Sequence, residues 1–206
     1  MTTPNTPIPH GHAIPGLQDV NLQALKLMCE LLDRDRLPGS FEMLRPVRSA
    51  LLALDEAERR RFAGIPHLLV DLNFRDVDWW RAVRSNSLRA VTIVDRASRA
   101  ARPRLLALSR ATLMLVWHAA QADRSRAMLM LGLCEALAVE FACWSPDEVQ
   151  RAAERQALRL KPRWTGRPET WRYWIHAVRG NDPEMLRRAH VHGLQLLGVE
   201  LFRPAL

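Results

Sequence analysis

Cysteine is scarce. The 206 residues hold three, Cys29, Cys134 and Cys143, with no C-x-x-C among them. So small and scattered a set supplies neither a disulfide framework nor a zinc knuckle, and reads as reduced thiols in a cytoplasmic protein. Lysine is scarcer still: of 30 basic residues only Lys26 and Lys161 are not arginine. No run of 18 apolar residues free of charge is present, which excludes a helical membrane span. The opening stretch MTTPNTPIPHGHAIPG has no basic segment followed by an apolar one, so no secretory signal is expected. G-x-S-x-G, H-E-x-x-H, G-x-x-x-x-G-K-[ST] and G-x-G-x-x-G are all missing. The chain is therefore expected not to be an enzyme and to carry no cofactor or metal.

What is present is a globular composition, 48% hydrophobic and 25% charged, with a net charge of +8. The charge is uneven. Residues 81–110 hold eight basic residues against one acidic, and residues 151–172 hold seven against two. Elsewhere the balance is near neutral or negative. Two such blocks attract polyanions when they share a surface, and are solvated helix faces when they do not.

Helical spacing dominates from Asp19 onward. Leu22, Leu25, Leu27, Met28, Leu31 and Leu32 recur at three-to-four intervals. Leu37-Pro-Gly-Ser breaks that helix, and Phe41–Leu54 reads as the next, with Pro46 in its first turn or at a kink. Asp55 and Glu58 form a capping box that opens a third helix. The apolar run 67–74 suits a short strand or a buried helical turn equally. Asp76 or Asp78 caps a helix bearing Trp79 and Trp80, residues 87–101 read as a basic helix, and Pro103 marks a boundary. Helices then follow over 105–122, 126–133 and 135–142. Ser145-Pro-Asp-Glu148 opens one reaching about Ala157, a basic connector leads to the Trp171/Trp174 helix, and Asn181-Asp-Pro-Glu184 opens the last, ending near Gly198.

The two halves resemble each other. Leu25, Leu27, Asp35 and Arg36 match Leu113, Leu115, Asp123 and Arg124 at an offset of 88, and Asp55/Glu58 matches Ser145/Glu148 at 90. At 95, Trp79-x-x-Ala82-Val83-Arg84-x-Asn86 matches Trp174-x-x-Ala177-Val178-Arg179-x-Asn181. Matches in one order with a slowly growing offset are what loop insertions leave between copies. The expected architecture is all-α: a Pro-rich tail over 1–18, one helical unit over 19–101 and a second over 102–206, packed as a pseudo-dimer through their first helices.

Few residues carry chemistry. His10 and His12 lie on the tail, and His190 and His192 point to different faces of one helix, so neither pair makes a metal site. Cys134 and Cys143 read as inert packing residues. For nucleic acid the candidate contacts are Arg99, Arg102 and Arg104 in the first block and Arg159, Lys161, Arg163, Arg167 and Arg172 in the second. The second alternates cations with Trp164, Trp171 and Trp174, an arrangement suited to stacking. Burial is the ordinary role of tryptophans at i, i+3, and docking of a protein partner is their other functional use. The pair of helices around Cys143-Trp-Ser145 makes a poor helix-turn-helix, because Asp147 and Glu148 stand where base-reading donors belong.

Over residues 109–157 the sequence resembles the FlhD family, a subunit of the flagellar master regulator. The residues that carry the resemblance are Leu113, Leu115, Asp123, Ala127-Met128, Leu131-Gly132, Glu135, Ala138, Ala142 and Ala153-Glu154. The resemblance implies an all-α, dimerising protein that acts in transcription activation with a partner subunit. The expected function is thus regulation in the cytoplasm through a protein partner, a regulatory subunit or the transcription machinery. The chain is expected to be a monomeric pseudo-dimer or a homodimer. Direct nucleic-acid binding through the arginine blocks is the alternative, and a motility or secretion chaperone is a third reading.

Overall fold

The computed structural model describes residues 14–34, 37–85, 87, 96–164 and 166–202. Most of the expected tail, Asp35 and Arg36, Asn86 and much of the expected basic helix over 87–101 lie outside them.

The fold is all-α, ten α-helices around one small two-stranded ladder among the described residues. Helix α1 (Leu17–Asp33) buries Leu17, Val20, Ala24, Leu25, Met28, Leu31 and Leu32, the stripe its spacing predicts. Asn21 is fully buried on the same helix. Its amide donates to the His67 carbonyl at 2.9 Å and to the Ala63 carbonyl at 3.3 Å, and accepts from the Leu69 N–H at 3.0 Å. One polar side chain thus fixes α1 to the chain that follows the third helix.

The expected second helix is divided. Gly39–Val47 is a 3-10 helix containing Pro46, and α2 (Arg48–Leu52) continues it for a little over one turn. Proline has no N–H to give to an i−4 carbonyl, so a regular α-helix cannot run through this stretch without losing a bond. Arg48 Nε donates to the Leu32 carbonyl at 3.0 Å and caps α1. Helix α3 (Glu56–Ala63) opens with the capping box of Asp55 and Glu58, both reciprocal bonds being present. Then comes β1 (Val70–Asp71), a strand within the ambiguous run, paired antiparallel with β2 (Lys161–Pro162). Asp76, not Asp78, caps α4 (Val77–Arg84) through the Trp79 N–H at 3.0 Å.

Helix α5 (Arg96–Ala122) runs straight across Pro103, where a boundary is expected from sequence. Pro103 faces solvent. The Arg99 carbonyl that loses its partner there can turn to water instead of standing buried and unpaired. Asp123 caps α6 (Arg124–Leu131), and Gly132 ends it at φ 68. A side chain at Gly132 would meet the Arg163 guanidinium at 2.7 Å, so glycine is required there for space as well as for conformation. Helices α7 (Glu135–Ala142) and α8 (Pro146–Gln156) follow, the second opened by the capping box of Ser145 and Glu148. Helices α9 (Pro168–Gly180) and α10 (Pro183–Phe202) complete the chain, with Asn181 in the left-handed conformation between them.

A capped helix, a two-residue strand and a further helix occur in that order twice, as α3, β1 and α4 and as α8, β2 and α9. The two series are interlocked. Helix α1 lies against α5, and β1 pairs with β2. Helix α4 of the first series packs on α7 and α8 of the second, while α9 of the second packs on α2, α3 and the 3-10 helix of the first. Helices α4 and α9 therefore each complete the core of the other half. The buried apolar side chains form one continuous cluster through both halves. Among the described residues no helix is long and apolar enough to cross a membrane.

Candidate functional site

The second basic block does not form a surface. Arg163 is only 5% exposed and turns inward. Its Nε donates to the Val70 carbonyl at 3.1 Å and its Nη2 to the Leu131 carbonyl at 2.6 Å, with Asp71 at 3.6 Å and Glu200 at 3.5 Å. It joins β1, the end of α6 and α10. Lys161 is held by Asp71 at 3.4 Å and by the Asn73 side chain at 3.0 Å. Arg159 lies over the Trp79 ring at 4.8 Å. Arg172 donates to the Pro46 carbonyl at 3.2 Å. Of the five cations in this block proposed from sequence, Arg167 alone is exposed without a described side-chain partner.

The aromatic residues between them also turn inward. Trp164, Trp171 and Trp174 are 9%, 1% and 0% exposed. They surround Phe62 and His67: Trp171 lies edge-on to Phe62 at 5.8 Å, and Trp164 and Trp174 stand 5.1 Å and 5.0 Å from the His67 ring. The tryptophans offered as candidates for stacking or partner docking take instead their ordinary role, as core residues. A second cluster, Phe74, Trp80, Phe141 and Trp144, fills the other half, with Trp80 stacked on Phe74 at 6.0 Å. In the first basic block Arg104 pairs with Glu30 at 3.1 Å, while Arg99 and Arg102 are exposed on the first turns of α5 without a described partner. Cys143, expected to pack, is exposed, and Cys134 is half-buried.

Two arginines hold the interlocked helices. Arg84, at the end of α4, reaches Glu148 at 2.9 Å and Glu140 at 3.1 Å. Arg179, near the end of α9, reaches Glu58 at 3.8 Å. Glu58 and Glu148 are the two capping-box glutamates. Each carboxylate thus closes its own helix and receives an arginine from the opposite half. Hydrogen bonds from the Ser145 backbone and from Arg84 hold the Glu148 carboxyl below the ordinary carboxylate range.

The buried polar groups centre on His67. Its ring is fully buried and neither nitrogen makes a sound hydrogen bond. Burial, then the nearby Arg163 charge and His190, push its pKa down to about 3, against a weak upward pull from the Leu68 backbone. Burial also lowers His190. For Asp71 burial acts to raise the carboxyl, but Arg163 and Lys161 outweigh it and hold it below its usual range. Helix α10 approaches His67 at Gly193, where an added Cβ would fall inside the imidazole.

Beside this centre, α9 and α10 frame an open cleft of about 540 Å³ lined by Arg167, Glu169, Thr170, Tyr173 and His192. Tyr173 and His192 meet edge to face at 5.5 Å. Sequence reasoning finds Arg167 but misses the other four, because His192 comes from a different helix and no local spacing links it to α9. Among the described residues no group of three or more His, Cys, Asp or Glu side chains could hold a metal. No protein family, curated protein or solved structure matches the chain.

Proposed function

We propose that the chain is a tandem pair of one helical unit that works as a non-enzymatic regulator, resembling FlhD, through contacts with another protein in a transcription complex. The interlocking carries the reading. Arg84 and Arg179 are equivalent at the offset of 95 that relates Trp79 to Trp174, and Glu58 and Glu148 are equivalent at 90. Their ion pairs cross between the halves in both directions, as the contacts of a two-fold dimer do. The ladder is consistent with this: at an offset of 91 residues 70 and 71 become 161 and 162, and Val70 pairs with Pro162 while Asp71 pairs with Lys161. A protein that dimerises and takes a partner subunit in transcription would be represented here by one chain with two units.

The test is genetic and physical. Deleting the gene and restoring it should change a defined set of transcripts, and the tagged protein should copurify with one stoichiometric partner whose loss reproduces the same change. A deletion that leaves every transcript unmoved would overturn the reading. Light scattering should give a monomer or a discrete dimer; an open-ended polymer would contradict the closed arrangement.

A second reading, direct contact with nucleic acid, rests on Arg99 and Arg102, exposed and without described partners at the start of α5. It requires affinity that falls with salt at a log–log slope of about −0.9 per phosphate neutralised. A flat salt dependence would remove it.

A further inference from the structure

Several arginines of the fold are held in ion pairs. Arg84, Arg104, Arg110, Arg163 and Arg179 each meet a carboxylate. Arg167 and Glu169 do not. They stand two residues apart on the rim of one cleft, and neither forms an ion pair with the other or with any described residue. Between them the wall is lined by Thr170, Tyr173 and His192, whose hydroxyl, phenol and imidazole are hydrogen-bonding groups. Thr170 is itself nearly buried, at 4% exposed. The volume lies within the range of small-molecule sites, roughly 300–1,000 Å³.

An anion alone would be attracted by Arg167 and repelled by Glu169. A cation alone would meet the reverse. A small molecule bearing both charges one carbon apart satisfies both. We propose that this cleft binds a free α-amino acid, with the carboxylate on Arg167, the ammonium group on Glu169 and the side chain over the Tyr173 ring. Guanidinium suits the first contact because its fork matches a carboxylate. The first half has no such place: at the offset of 95 the equivalent residues are Leu72, Phe74, Arg75, Asp78 and Ala97. The site belongs to the second half and to α10, and stands apart from the regulator reading.

The experiment is titration calorimetry on the full chain with L-leucine, L-phenylalanine and L-glutamine, paired with tryptophan emission, since Trp174 lies 6.2 Å from His192. At least one amino acid should saturate with a Kd of about 1 mM or below. Its amide, which lacks the carboxylate, and its N-acetyl form, which lacks the ammonium group, should each bind about tenfold more weakly or worse. R167Q and E169Q change exposed side chains, so both should fold normally; both should weaken the parent amino acid, R167Q should further weaken the N-acetyl form while leaving the amide little changed, and E169Q should do the reverse. No saturation by any of the three, or equal binding of the N-acetyl form, would overturn the proposal.

Discussion

The two halves of the molecule solve the same packing problem with different side chains. In the first, the fourth helix brings Trp80 into the other half against Phe141 and Trp144. In the second, α9 brings Trp171 and Trp174 against Phe62. The cluster around Trp80 is filled with aromatic rings alone. The cluster around Trp171 and Trp174 includes His67 and has the buried Arg163 beside it. Shared topology therefore fixes where a helix crosses, not what chemistry it buries. The cluster with the buried polar groups is also the one that α10 covers, at Gly193.

The largest effect should come from the buried arginine. Arg163→Leu leaves Glu200 without its cation, Asp71 with Lys161 alone, and two carbonyls without a donor. It should cost about 3–5 kcal/mol in denaturant unfolding. A loss below about 1 kcal/mol would erase the contrast between the two clusters. Trp80→Ala and Trp171→Ala should each cost about 3–5 kcal/mol, since both rings are fully buried. Equal losses would show that the two clusters support one cooperative core; two separate transitions would show that they do not.

Gly193→Ala drives a methyl into the His67 ring and should cost about 1–3 kcal/mol. Hydrogen exchange should show the loss first in α10. Acid should distinguish the halves more gently. His67 is neutral in the fold down to about pH 3, whereas in the unfolded chain it takes a proton near 6.5. Between these values the unfolded state binds more protons, so stability falls as pH falls, by up to about 1.4 kcal/mol per pH unit. His67→Phe should flatten that slope; an unchanged slope would move its origin elsewhere. The smallest effects belong to the crossing ion pairs. Arg84→Ala should cost about 0.5–1 kcal/mol and Arg179→Ala less, because Arg84 meets two carboxylates and is the less exposed.

Local signals were legible and distant ones were not. Both capping boxes stand where Asp55/Glu58 and Ser145/Glu148 place them, since a cap is settled within four residues. The helical stripe of α1 follows from spacing for the same reason. The run 67–74 could not be assigned because its strand is defined by partners 92 and 90 residues away. Pro103 misled because the cost of an interior proline depends on whether the freed carbonyl meets water, which composition does not record. The alternation of cations and tryptophans from Arg159 to Trp174 looked like a binding face. It is instead a segment threaded through the core, where Arg163 finds carbonyls supplied by β1 and α6. Nothing near Arg163 in sequence announces those acceptors. The cleft was hidden likewise, being a meeting of two helices.

The exchange of α4 and α9 has a consequence for how the molecule fails. In an ordinary two-subunit assembly, association competes with dilution, and each subunit exists alone below its dissociation constant. Here the crossing contacts of α4 and α9 lie within one polypeptide, so the effective concentration of one half at the other is set by the connecting chain and not by how much protein is present. Dilution cannot part the halves. Neither half can lose its borrowed helix without opening the core of its neighbour, so local damage on either side is felt on both.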